Sequence, residues 1–278
     1  MCHPVVNAII KGFIEGFTEF LPISSTGHLV LVRHLFPLTV STQAAEIKRV
    51  DDLFDIVVQF PAILAIVILY RRRLWTAACG MRAKPEARRF WLGLFLAFLP
   101  AAAVGWCFHD QIKEKLFNPV VIAWALIAGG AVLLLADHKT GGERVARAEE
   151  TPLGRALAIG LCQCLALVPG TSRSGATIVG GRFLSLTREA AAEYSFFLAL
   201  PTMGAAFVYE FAKSLRDIQW ATDGPVLLAG SLTSFVTAWI VVALFIRFLQ
   251  KHGLGVFGYY RIVLGLLVLW LGRALAGC

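Results

Sequence analysis

Glu15 and Glu19 lie four residues apart near the start of the chain, and Ser24, Ser25, Thr26, Gly27 and His28 follow them. On a helix that spacing puts both carboxylates on one face, where they repel unless a cation or a basic group lies against them. Two interfacial glutamates turned to water would fit the same spacing. A hydroxyl at a helix start is ordinary capping, but two carboxylates, three hydroxyls and an imidazole within fourteen residues exceed what a cap requires. Ser25 and His28 are three apart, close enough for the imidazole to take or position a hydroxyl proton. Far along the chain, Ser172-Arg173-Ser174-Gly175-Ala176-Thr177 opens another apolar stretch. The free N–H groups and dipole of a helix start suit an anion, and the planar fork of Arg173 matches phosphate oxygens. An arginine there could also snorkel or pair with a structural glutamate. Together these residues describe a phosphate site with a divalent cation: Glu15 and Glu19 for the metal, and Arg173, the hydroxyls and the N–H groups for the phosphate.

The elements that must position them are membrane helices. The 278 residues are 58% hydrophobic and 16% charged, with a mean hydropathy of +0.71. A soluble domain sits nearer about 45–50% apolar and about 25% charged, and too few charges remain here to coat a soluble surface. Disordered, collagen-like and disulfide-scaffold classes are excluded by the same composition. A helix needs about 20 mostly apolar residues to cross a bilayer. Six stretches approach that length, 53–70, 90–108, 119–136, 190–211, 225–246 and 257–276, and the last of them contains Arg261. Two more apolar regions, 5–36 and 154–187, are broken midway, at Pro22-Ile23-Ser24-Ser25-Thr26-Gly27 and at Pro169-Gly170-Thr171-Ser172-Arg173-Ser174-Gly175. Irregular backbone at membrane depth is tolerated only where protein or a wet cavity satisfies it. Both regions therefore read as re-entrant helix–loop–helix hairpins. The expected fold is an all-α integral membrane protein of about ten helices in a single domain, 1–278. Ionisable groups at such depth cost roughly 2.5–3.5 kcal/mol each on insertion scales, which makes Glu15, Glu19 and Arg173 functional candidates.

The net charge of +8 could suggest a nucleic-acid partner. The bases instead lie between apolar runs: thirteen Lys/Arg fall in 71–89, 137–155 and 247–252, against six in 37–52, 109–117 and 212–224. The positive-inside rule places the first set in the cytoplasm, and two re-entrant hairpins are what make these loops alternate. The broken regions also resemble each other. Gly12…Glu15…Pro22 parallels Gly160…Gln163…Pro169, and Phe54…Pro61 parallels Tyr194…Pro201, all at offsets of 140–148. One hairpin and three spans per half predict an inverted repeat, about 1–140 and 150–278, with a site near the midplane where the broken helices meet.

The run Glu15-Gly-Phe-Thr-Glu19-Phe-Leu-Pro-Ile-Ser-Ser-Thr-Gly-His28 resembles the first signature of the bacterial undecaprenyl-diphosphate phosphatases, the bacitracin-resistance family. The run Gln163-Cys-Leu-Ala-Leu-Val-Pro-Gly-Thr-Ser-Arg-Ser-Gly-Ala-Thr177 resembles the second. The resemblance covers nearly the whole chain, departing at Phe60-Pro61 and Val168. It implies hydrolysis of the C55 isoprenyl diphosphate to the monophosphate in the plasma (inner) membrane with Mg²⁺ or Ca²⁺, which recycles the lipid carrier for peptidoglycan and protects against bacitracin. It also implies a ten-helix fold with six spans and two re-entrant hairpins. By position it carries an acidic pair onto Glu15 and Glu19, an essential hydroxyl onto Ser25, a histidine onto His28 and an arginine onto Arg173. Flanking hydroxyls fall on Ser24, Thr26, Ser172, Ser174 and Thr177, which with Gly27 are the expected phosphate-binding positions. The expected chemistry is attack by Ser25 on the terminal phosphorus, with His28 as base and Arg173 stabilising charge. A metal-activated water, with Ser25 only holding phosphate, is the close alternative. A transporter for a phosphorylated lipid or small anion would share the architecture. The family's usual assignment and two outside termini favour an outward-facing site, and a homodimer is one arrangement left open.

Overall fold

Pro4 occupies the first turn of α1 (Pro4–Thr18), where its missing N–H would have had no helical partner. From there the chain is almost wholly helical: α2 (Ser25–Val32), α3 (Ala44–Leu69), α4 (Arg71–Gly80), α5 (Pro85–Leu116), α6 (Pro119–His138), α7 (Leu153–Gln163), α8 (Arg173–Phe183), α9 (Arg188–Ser214), α10 (Trp220–His252) and α11 (Gly255–Ala276). The computed structural model describes residues 3–33, 35–138, 142 and 144–276, without the side chains of 109, 110, 113 and 271–276. The protein is therefore all-α. Five helices, α3, α5 (to Phe108), α6, α9 and α10, are long and apolar enough to cross a membrane, making this a multi-pass membrane protein. The sixth expected span is α11, 22 residues long, whose described apolar stretch is Gly255–Trp270.

Both broken regions fold as helix, turn, helix: α1 then α2, and α7 then a short 3-10 segment then α8. The helix beyond the expected ten is α4, within the basic segment 71–89. It is separated from α3 by Tyr70, whose φ of −100° and ψ of 15° break the helix. Another deviation lies in α5, which kinks at Phe108 (φ −120°) and runs on to Leu116.

The two hairpins are held by long helices of the opposite half: α1 lies along α10 and α7 along α5, while α6 packs on α11 and α3 on α10. Glycine permits the first two approaches. A Cβ on Gly12 would lie 2.9 Å from the Gly230 Cα, and one on Gly160 would lie 2.6 Å from the Ala97 Cα, so neither position admits a side chain. The loops sort by ion pairs. Arg73 of α4 binds Glu149 at 2.7 Å and also Glu193 of α9, while Asp137 at the end of α6 pairs with Arg188 and accepts from the Gly255 N–H. The segments rich in Lys/Arg thus share one face. Across the molecule Arg49 pairs with Asp223 and donates to the Asp217 carbonyl, joining 37–52 to 212–224. Glu149 is pulled in opposite directions, burial raising its pKa and Arg73 lowering it, and the net shift is downward. Outward from the core, Leu135, Val208, Leu232 and Val263 are exposed apolar side chains, as hydrocarbon contact requires.

Candidate active site

The two hairpin turns meet inside the molecule, and their capping residues match. Ser24 caps α2 with a φ of 69° and Ser172 caps α8 with a φ of 71°, a left-handed conformation uncommon for residues other than glycine. Each hydroxyl accepts the N–H three residues on, from Gly27 at 3.4 Å and from Gly175 at 3.1 Å. The turns are also joined directly: the fully buried Ser174 hydroxyl donates to the Leu21 carbonyl at 2.8 Å. The expected phosphate ligands Ser24, Gly27, Ser172 and Ser174 thus build the loops. Thr177 donates to the Arg173 carbonyl at 2.8 Å and lies 2.7 Å from the Ser195 hydroxyl. Thr26 is half-buried beside Ser25.

Glu19, just past the end of α1, stands between the halves. One carboxylate oxygen accepts from Ser25 at 2.6 Å and the other from Arg173 at 3.1 Å, with the ion pair almost enclosed. Arg173 also donates to the Ser195 carbonyl at 3.0 Å and lies over the Phe20 ring. The expected acid, hydroxyl and arginine are therefore one hydrogen-bonded group. The expected Ser25–His28 contact is replaced. His28 Nδ1 lies 2.7 Å from the Ser24 carbonyl and Nε2 lies 2.6 Å from the Tyr260 hydroxyl. A carbonyl only accepts, so Nδ1 carries the proton and Nε2 accepts from the tyrosine. Spacing brought Ser25 and His28 within a turn, but the left-handed bend at Ser24 points the hydroxyl back toward α1.

Glu15 is fully buried one turn before Glu19, and neither of its carboxylate oxygens has a hydrogen-bond partner among the described residues. One turn earlier the buried Lys11 is committed to Asp51 at 2.7 Å. A buried carboxylate without a partner fits a cation, so Glu15 with Glu19 is chemically suited to a divalent ion. No group of three or more His, Cys, Asp or Glu is placed to hold a metal among the described residues. An apolar cavity of about 790 Å³ lies on the back of α8, lined by Val120, Trp124, Leu165 and Phe183; Glu15, Glu19, Ser25, His28 and Arg173 are not in its lining.

The sequence profile of the family described as bacitracin resistance protein BacA matches residues 8–267. The chain belongs to this family. Similar proteins of that length include undecaprenyl-diphosphatase 1 of Chromobacterium violaceum, 45% identical over 263 residues, which are 95% of this chain and 94% of the relative. The undecaprenyl-diphosphatase of Aromatoleum aromaticum is 46% identical over 95% of this chain and 93% of its own. That of Rhodopseudomonas palustris strain BisA53 is 45% identical over 98% of this chain and all of its own. The family match spans both hairpins, so every residue of the Glu19 cluster lies inside it. Tyr260, Ser195 and Phe20, which the motifs do not single out, complete the site from α11, α9 and the first turn.

Proposed function

We propose that this protein hydrolyses undecaprenyl diphosphate to undecaprenyl phosphate and inorganic phosphate, returning the lipid carrier to peptidoglycan synthesis and raising resistance to bacitracin. The observation that carries the reading is the Ser25–Glu19–Arg173 cluster, in a chain whose relatives carry the name undecaprenyl-diphosphatase. The Ser25 oxygen attacks the terminal phosphorus and its proton passes to Glu19. The bond from that phosphorus to the bridging oxygen breaks, releasing the prenyl monophosphate. Water then cleaves the phosphoserine, regenerating the hydroxyl and releasing phosphate. Arg173 leaves Glu19 as the carboxylate gains its proton and turns its positive charge to the equatorial oxygens, while the N-termini of α2 and α8 add theirs. His28, held in one tautomer by Ser24, accepts the Tyr260 hydroxyl proton at Nε2, so in the water step the proton passes from water to the Tyr260 oxygen as the tyrosine proton moves onto His28. A divalent cation, Mg²⁺ or Ca²⁺, would be held chiefly by Glu15, whose oxygens have no protein partner among the described residues, with Glu19 beside it left to take the Ser25 proton, and would neutralise diphosphate charge. A serine and its proton acceptor in hydrogen-bond contact favour chemistry over transport, which needs no nucleophile.

The halves 1–140 and 150–278 form an inverted repeat, a reading supported by the paired Ser24 and Ser172 caps and the paired Gly12 and Gly160 contacts. The protein lies in the plasma (inner) membrane with its basic face in the cytoplasm and its site opening outward. The test is phosphate release from undecaprenyl diphosphate by the purified protein, with and without chelator. Release that stops on chelation and returns with Mg²⁺ or Ca²⁺ supports the reaction and the cation together. Binding of the lipid with no release would assign the chain to transport.

A further inference from the structure

Arg261, on α11, is a buried cation to which the reaction above gives no task; it is 1% exposed and sits where α6, α11 and both hairpin turns converge. Its Nη1 donates to the Pro22 carbonyl at 3.3 Å, and its Nη2 to the carbonyls of Gly170 at 3.0 Å and Ala125 at 3.1 Å. Its Nε donates to the Leu126 carbonyl at 3.4 Å. These partners are all backbone carbonyls, and no carboxylate pairs with Arg261 among the described residues. The space it fills is built for it. A Cβ on Gly129 would lie 2.8 Å from its Cζ, and one on Gly175 would lie 2.7 Å from its Nη1.

Carbonyls at the ends of broken helices lack intrahelical partners, and at membrane depth something must satisfy them. A guanidinium is a rigid plane with five donors, so it can hold carbonyls from different segments at a fixed separation, which an ammonium on a flexible stem cannot do. Pro22 lies three residues before Ser25, and Gly170 three before Arg173. The one plane therefore ties the turn that sets the hydroxyl to the turn that sets the arginine.

We infer that Arg261 is a positioning residue: it holds the Ser25 turn and the Arg173 turn in register, so that both meet the same phosphate. The inference rests on the proposed reaction for its kinetic readout. Misplacement by about 1 Å can cost about a hundredfold in rate, and the loss belongs in kcat because substrate binding draws on the rest of the site. The variants are Arg261→Gln, Arg261→Lys and Gly129→Ala. The last keeps the arginine and pushes its guanidinium away from Ala125 and Gly170, so it decides the matter if Arg261→Gln fails to insert. In folded protein, kcat for phosphate release should fall about a hundredfold in Gly129→Ala with KM within about threefold, and Arg261→Lys should not restore it. A kcat within about twofold of wild type in Gly129→Ala, or full rescue by lysine, overturns the inference. A second measurement needs no turnover. Nitroxide labels at positions 17 and 165, beside the two turns, in a chain whose native cysteines are replaced, should give a broader distance distribution in Gly129→Ala. An unchanged distribution overturns the clamp. Wild type that releases no phosphate refutes the hydrolase reading instead, and the label distances still decide the clamp.

Discussion

Glu19→Gln tests the proton acceptor while keeping the shape of the side chain. In the native site one carboxylate accepts from Ser25 at 2.6 Å and from Arg173 at 3.1 Å. A glutamine has one accepting oxygen and one donating nitrogen. Arg173 only donates, so the amide oxygen must turn to it, leaving the amide N–H₂ against Ser25. The serine then becomes an acceptor, and its proton has nowhere to go. Loss of a general base costs about 10²–10⁴ in rate, or about 2.7–5.4 kcal/mol at about 1.36 kcal/mol per tenfold. Folding loses less, because Arg173 keeps the Ser195 carbonyl and gains the amide oxygen. A hydrogen bond to a charged group contributes about 1.5–3 kcal/mol in all, which bounds the loss. The assay is steady-state phosphate release beside a thermal melt in the same detergent. Since Glu19 and Ser25 act as a unit, adding Ser25→Ala to Glu19→Gln should slow the enzyme little further. A folded Glu19→Gln retaining about a third or more of the wild-type kcat, a barrier change under about 0.7 kcal/mol, would refute Glu19 as the acceptor.

Three further outcomes are expected. Gly160→Val should lower the melting temperature in detergent, because the new Cβ meets the Ala97 backbone, which cannot swing aside; overpacking of this kind costs about 1–3 kcal/mol, and an unchanged melt would contradict the close α7–α5 approach. Tyr260→Phe keeps the stacking on His28, with ring centroids 5.7 Å apart, and removes the donor to Nε2, so kcat should fall by up to about tenfold with little change in the melt. Glu149 is held below the ordinary glutamate range in the folded protein, the Arg73 pair outweighing burial, so that pair contributes fully above the ordinary range and its contribution fades as pH falls through the lowered folded value. A melt-versus-pH series should show this acid loss in wild type and a shallower one in Arg73→Met; identical slopes would contradict it.

Much of the site was legible because it is local. Glu19 and Ser25 are six residues apart, and Arg173 belongs to a motif that repeats the first at an offset of 148. Composition and breaks at Pro and Gly were enough to place the spans and the hairpins. What sequence spacing missed depends on distant contacts. Tyr260 reaches His28 from 232 residues away, and Ser195 meets Arg173 from α9. The turn of Ser25 toward Glu19 rather than His28 follows from the left-handed Ser24, which no residue type announced, since serine seldom adopts it. Helix α4 was hidden because its three arginines and exposed Trp75 read as a charged connection rather than as a helix lying beside the spans.

The central claim is that hydrolysis runs through the Ser25 hydroxyl. Ser25→Ala removes one half-buried oxygen and leaves the Glu19–Arg173 pair in place, so the variant should melt close to wild type. Its rate of phosphate release from undecaprenyl diphosphate, measured beside wild type with the cation present, is the most direct test. The account predicts a residual rate of about 1% or less. A folded Ser25→Ala that releases phosphate at about half the wild-type rate, a change of only about 0.4 kcal/mol in barrier, would contradict it.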